Sequence, residues 1–158
     1  MTQEDKQLLL IDLCGRLPYE VKCKYYDCCE GDYGEGTICG FERHKYIQID
    51  GVCIPIEEVK PYLRPLSSIT EDEIIELVHE LTSGQGRAQD IDIEDKSCRI
   101  CYEMPLEFYL PFNIEDVVNG FFGIEGFDSL NALHLDYRGL INKNLAIEVT
   151  EENNPYKD

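Results

Sequence analysis

The sequence predicts an α+β protein: a helix leading into a small antiparallel sheet, then a mixed helix and strand half. Three observations point there. Apolar residues recur at helical spacing over residues 8–17. Residues 19–56 switch to two-residue alternation broken by glycine-containing turns. Beyond residue 69 both patterns interleave, opening on a strong helix-start signal.

Thr2 caps the first helix, with Asp5 at the third helical position in place of the usual Glu. Leu9, Leu10, Leu13, Cys14 and Leu17 share one face; Gly15 weakens the end and Pro18 stops it. Over residues 19–26, Val21, Cys23 and Tyr25 alternate with Lys22, Lys24 and Tyr26, the pattern of a half-buried strand. Residues 30–36 read as a turn or loop. Residues 37–41 and 46–50 are further strands, and Asp50-Gly51 is a two-residue hairpin into residues 52–56. The result is a small antiparallel sheet. Residues 57–63 are expected to form a short helical turn bounded by Pro61 and Pro65.

Thr70 and Glu73 form a capping box, with Ile69 and Ile74 at the staple positions. Ile74, Leu77, Val78 and Leu81 make that helix's apolar face, and residues 83–86 end it. Residues 90–102 alternate as one or two strands. Asn113 caps a short helix ended by Gly120. Asp128 or Ser129 starts another, with Leu130, Leu133, His134 and Tyr137 on one face. Residues 145–149 are a last strand. The organisation expected is a subdomain over 1–68, an acidic α+β subdomain over 69–149 and a polar tail over 150–158, or one compact domain.

At 158 residues, with 43% hydrophobic and 29% charged, the chain can build its own core. A chain of this size buries roughly 68–70% of its unfolded surface, so folding needs no metal or disulfide. The charge is unusual: 32 acidic against 14 basic residues, net −18. The excess is concentrated, with a net of −4 over residues 1–69 and −14 over residues 70–158. Such a surface repels phosphate backbones and anionic lipid, which disfavours direct nucleic-acid and membrane binding. It favours a basic partner, or simple solubility. The first residues lack the basic region of a signal peptide, and no stretch nears the ~18 apolar residues of a membrane span. A cytoplasmic location is expected, with the eight cysteines reduced.

Four phrases carry a resemblance: Leu8-Leu-Leu-Ile-Asp-Leu-Cys-Gly-Arg-Leu-Pro-Tyr19, Ile56-Glu-Glu-Val-Lys-Pro-Tyr-Leu-Arg-Pro-Leu-Ser-Ser68, Leu135-Asp-Tyr-Arg-Gly-Leu-Ile141, and Leu145-Ala-Ile-Glu-Val with Asn153-Asn-Pro-Tyr-Lys157. Together they resemble a family of small uncharacterised proteins of gut anaerobic bacteria, their phages and mobile elements. The resemblance covers both ends and leaves residues 84–127 unmatched. It brings no catalytic residue with it. It implies a bacterial, mobile-element setting in which contact with host proteins is the expected role.

Candidate chemistry is sparse. Cys98-Arg-Ile-Cys101 is the one CxxC, and Cys28 with Cys29 or Cys39 could supply a second pair of zinc ligands. On a strand, however, residues three apart face opposite ways, so Cys98 and Cys101 diverge. Asp27 and Glu30 disfavour thiolates at Cys28 and Cys29 by like-charge repulsion. Residues 90–95 carry Asp90, Asp92 and Glu94 at alternate positions, like the start of a calcium loop. Asp95 stands where that loop needs glycine, so a strand with Ile91 and Ile93 inward fits better. His134, Asp136, Tyr137 and Arg138 are the most polar cluster near a helix end and the candidate catalytic group. His44 and His79 have no evident partners. Phe121 and Phe122, among glycines, suit a protein contact if exposed and a buried connection if not.

No HExxH, GxSxG, P-loop or dinucleotide fingerprint is present, and no cofactor is implied. The reading is a non-catalytic interaction or regulatory module with a host or self protein partner. Phe121, Phe122, Asp90, Asp92 and Glu94 are its contact candidates. Two alternatives stand beside it: an acidic decoy mimicking nucleic acid, and an enzyme of unknown class using residues 134–138.

Overall fold

A computed structural model describes residues 1–43, 45–102 and 108–157, which leaves His44 outside the described residues. The fold is α+β. In chain order the elements are α1 (Gln3–Arg16), β1 (Lys22–Asp27), β2 (Asp32–Glu42), β3 (Tyr46–Ile49), β4 (Val52–Pro55), β5 (Val59–Leu63), α2 (Glu71–Leu81), β6 (Gly86–Asp92), β7 (Ser97–Tyr102), β8 (Phe108–Asn113), α3 (Ile114–Val118), α4 (Gly123–Ala132) and β9 (Ile147–Glu148). They fall into two compact units. Unit 1 is Met1–Pro65 with Asn131–Asp158, and unit 2 is Leu66–Leu130.

Unit 1 is built on a six-stranded sheet of order β4-β3-β2-β1-β5-β9. All neighbours are antiparallel except β5 and β9, which run parallel. The core collects Leu9 and Leu13 of α1 with Cys23, Ile38, Ile47, Ile49, Val59 and Leu63 of the strands. The capping box at Thr2 and Asp5 is formed as predicted. The buried face of α1 is not the all-apolar one expected. It runs Leu9, Asp12, Leu13, Arg16, while Cys14 is exposed. Acid and base at i and i+4 neutralise each other there, which is what admits them to the interior.

Residues 30–36 are not a loop throughout: β2 already begins at Asp32. Gly34 and Gly36 serve close approach within the strand. A Cβ on Gly34 would lie 2.6 Å from Tyr25 Cζ, and one on Gly36 would lie 2.6 Å from Ile49 Cγ2. Residues 57–63 also differ from the helical expectation. A short helical turn closes at Glu58, and β5 follows with Pro61 opposite Cys23. β9 pairs only Tyr62 and Leu63, so Pro61 is flanked on one side alone, where proline is tolerated.

Residues 131–157 belong to unit 1, including the segment read from sequence as a polar tail. Arg64 forms a parallel bridge with Leu135, its N–H donating to His134 O and its carbonyl accepting from Asp136 N. The Tyr156 hydroxyl donates to Tyr62 O at 2.9 Å and accepts from Lys22 N at 3.2 Å. Backbone groups of two strands thereby tie down a segment whose composition reads as solvated.

Unit 2 is a three-stranded antiparallel sheet, β6-β7-β8, with helices. The Thr70–Glu73 capping box is present. Ile74, Leu77 and Val78 are buried, each stabilising by roughly 1.5–3 kcal/mol. Asn113 caps α3 by accepting from Glu115 N, and Gly120, in the left-handed region, follows its end. α4 starts at Gly123, earlier than expected. Ser129 lies inside it, its hydroxyl donating to Glu125 O and Glu80 Oε2. No helix among the described residues is long and apolar enough to cross a membrane.

Candidate functional site

Of the four residues proposed from sequence as a reactive cluster, Tyr137 and Arg138 reach a fully buried ion pair at the end of α1, while His134 and Asp136 turn to other partners. Asp12 and Arg16 are both 0% exposed. Arg16 donates from Nε and Nη2 to the two oxygens of Asp12, at 2.6 and 3.1 Å, and from Nη2 to Leu135 O at 2.7 Å. Arg138 Nε lies 3.4 Å from Asp12 Oδ1, an ion contact outside hydrogen-bond geometry. The Tyr137 ring meets two guanidinium groups, 5.3 Å from that of Arg16 and 5.0 Å from that of Arg138. Its hydroxyl donates to Asn131 Oδ1 and accepts from Arg138 Nη2. Asn131 in turn donates to Gly15 O.

Each candidate is thus committed to holding the chain. Both carboxylate oxygens of Asp136 accept backbone N–H groups, from Leu140 and Ile141, at 2.8 Å each. His134 lies outside the helix expected to carry it, with φ of 54°. Its ring stacks on Tyr156 with centroids 4.0 Å apart and planes 13° from parallel. Burial, reinforced by the charges of Arg16 and Arg64, lowers its pKa to about 4. The ring is therefore neutral at pH 7, and a proton is unwelcome on it. Burial also raises the Tyr156 hydroxyl to about 12. Arg16 Nη1 and His134 Nδ1 meet no hydrogen-bond partner among the described residues, so the cluster is costly to bury. The sequence signal for its hidden half was present: Asp12 and Arg16 are four apart, in register with Leu9 and Leu13.

Within unit 2 the CxxC does not converge. Cys98 and Cys101 of β7 pair with Phe112 and Tyr109 and so face opposite sides of the sheet, as strand geometry requires. Both are buried. Burial raises the Cys98 thiol to about 11. Asp27, Cys28 and Cys29 bring three donor atoms within 4.8 Å of one another in an exposed turn. That is one short of a closed tetrahedral set. The turn is explained without an ion, because Asp27 Oδ1 accepts from Cys29 N at 2.8 Å. The Cys29 thiol is raised, first by its hydrogen bond to Cys28 and by that neighbour's charge, then by Asp27.

Unit 2 carries the interaction candidates. Asp90 pairs with Arg99, at a bulge between Gln89 and Asp92 where Asp90 has φ of 51°. Asp92 Oδ1 accepts from the N–H groups of Glu94 and Asp95, closing the β6–β7 turn. Ile93 is exposed at that turn rather than inward. Phe122 is half-buried, its ring 5.7 Å from Phe112 and 5.2 Å from Phe121. Phe121 is 80% exposed and Ile124, which sequence reasoning passed over, is 75% exposed. Glu115, Asp116, Glu125 and Asp128, the acids nearest in sequence, are exposed too. Unit 2 as a whole holds 15 acidic and 3 basic residues, a net of −12.

In comparisons with protein families, curated proteins and solved structures, nothing matches this chain.

Proposed function

We propose that this protein is a non-catalytic interaction module of a phage or mobile element, docking through unit 2 on a host protein. The observation that carries the reading is the exposed pair Phe121 and Ile124, flanked along the chain by exposed carboxylates. Large apolar side chains this exposed cost solubility, and side chains of this kind anchor interfaces. The net charge of −12 fits a partner whose apolar pocket is bordered by Lys and Arg. The commitment of residues 134–138 to structural contacts removes the motive for an enzyme at that place.

An acidic decoy of nucleic acid would draw on the same charge, but a phosphate backbone has no counterpart to Phe121 and Ile124. Capture from host-cell lysate on immobilised protein separates the readings. A stoichiometric partner retained at about 0.15 M ionic strength and lost with Phe121→Ser/Ile124→Ser supports the apolar anchor. Capture that ignores the double substitution but vanishes at high salt supports the decoy. Absence of any partner in either arm refutes both.

A further inference from the structure

We propose that unit 1 holds a binding site for a small organic phosphate with a flat apolar body, of the nucleoside monophosphate class. The site is a groove of 630 Å³ between the first two turns of α1 and the open end of the β3–β4 hairpin. That volume lies within the usual range of about 300–1,000 Å³ for small-molecule sites. Its charge runs against the rest of the molecule. In a chain of 32 acids and 14 bases, the lining among the described residues brings together Lys6, Arg43 and Lys45 with the carboxylate of Glu57, and Glu42 lies beside Arg43.

The fold produces this segregation. On α1, Gln3, Lys6, Gln7 and Leu10 recur at helical spacing and face the groove, while Glu4 and Asp5 do not line it. Glu57 is engaged by Lys6 at 3.1 Å. Its carboxyl is held below the usual range, first by a backbone hydrogen bond and then by Lys6. The hairpin end is fixed by Ile56 N donating to Lys45 O at 3.0 Å and by pairing of Tyr46 with Pro55. Lys45 is thereby anchored by its backbone with its side chain at the rim, beside Arg43.

The groove has two characters. Leu10, Pro55 and the buried Ile56 supply apolar wall, and the exposed Tyr46 supplies a ring on which a planar group can stack. Lys45 and Arg43 supply positive charge, Arg43 with the fork that matches phosphate oxygens. Beyond the Lys6–Glu57 pair stand Lys45 and Arg43; Arg43 Nε lies 3.7 Å from Glu42 Oε1, a loose exposed contact of the kind worth little in water, which a phosphate dianion can displace. The global charge of −18 repels long polyanions. Acids farther off than a Debye length, about 8 Å at physiological salt, are screened for a small one.

The test is titration of the full chain with AMP, GMP, CMP and UMP, followed by backbone amide shifts, with adenosine and inorganic phosphate as separate arms. The expectation is saturable binding of at least one nucleotide, with the largest shifts at Gln3, Lys6, Gln7, Lys45 and Tyr46. Arg43→Ala/Lys45→Ala should weaken it roughly tenfold, as loss of charge-assisted contacts does. Phe121→Ser/Ile124→Ser should leave it unchanged. No saturable binding by any of the four nucleotides overturns the proposal. So do shifts that map elsewhere, affinity indifferent to loss of the two cations, and inorganic phosphate or adenosine binding as tightly as the nucleotides.

Discussion

His134 makes the structure testable through acid stability. Its pKa is about 4 when folded, against an ordinary 6.5, because burial and the charges of Arg16 and Arg64 disfavour the imidazolium. The folded state therefore refuses a proton that the unfolded chain accepts as pH falls through 6.5. Stability is fully present above that pH and drains away between about 6.5 and 4. From pH 7 to pH 5 the loss from this group alone is about 2 kcal/mol by linkage. The ring is only half-buried, and solvent trims this to between about 1 and 2 kcal/mol. For a chain of this length that corresponds to roughly 2–8 °C in Tm. The comparison is urea unfolding at pH 7 and pH 5 of wild type and His134→Asn, asparagine being at ease at the positive φ of 54°. Asn lowers stability at both pH values by removing the stack on Tyr156, and it abolishes the pH-dependent part. Equal pH dependence in the two proteins, or an imidazole that titrates near 6.5 in the folded state, would refute the placement of this ring.

Two further outcomes follow from burial. Asp12→Ala leaves Arg16 charged and unpaired in the interior and should cost about 3–5 kcal/mol, whereas Asp12→Leu/Arg16→Met should cost far less. Urea midpoints of the two variants check this, and equal losses would show that the pair is not dry. A thiol reagent at pH 8 should label Cys14, Cys28, Cys29, Cys39 and Cys53 in the folded protein. Cys23, Cys98 and Cys101 should join only on unfolding, and rapid labelling of all eight contradicts the core described above.

What the sequence made legible was local. Thr2 and Thr70 mark the starts of α1 and α2, and Asp50-Gly51 marks a hairpin, because caps and turns are satisfied by neighbours a few residues away. Long-range contacts were opaque. Gly34 reads as a turn residue until Tyr25 of the paired strand is seen to lie over it. His134 reads as a helix-face residue until Arg64 claims its carbonyl. Tyr156 lies in a segment with the composition of a tail, and only the backbone of β1 and β5 explains its placement. The candidate site divided along the same line. The proximity of residues 134–138 was readable, but their charge balance depends on Asp12 and Arg16, far away in the chain. The groove beside β3 has no linear signature, since its cations come from two separate segments.

The hydrogen-bonded crossing of Arg64 and Leu135 bears on how such a chain is made and how it can change. During synthesis the ribosome must emit all of unit 2 before the strand that completes the first sheet exists. Unit 1 thus waits for its own closing piece, and loop closure across that span is one entropic cost of its folding. The same crossing gives the inserted segment two adjacent stems. An ancestor or an engineer could exchange everything between them for another module, or for a few linking residues, without rewriting the interior on either side.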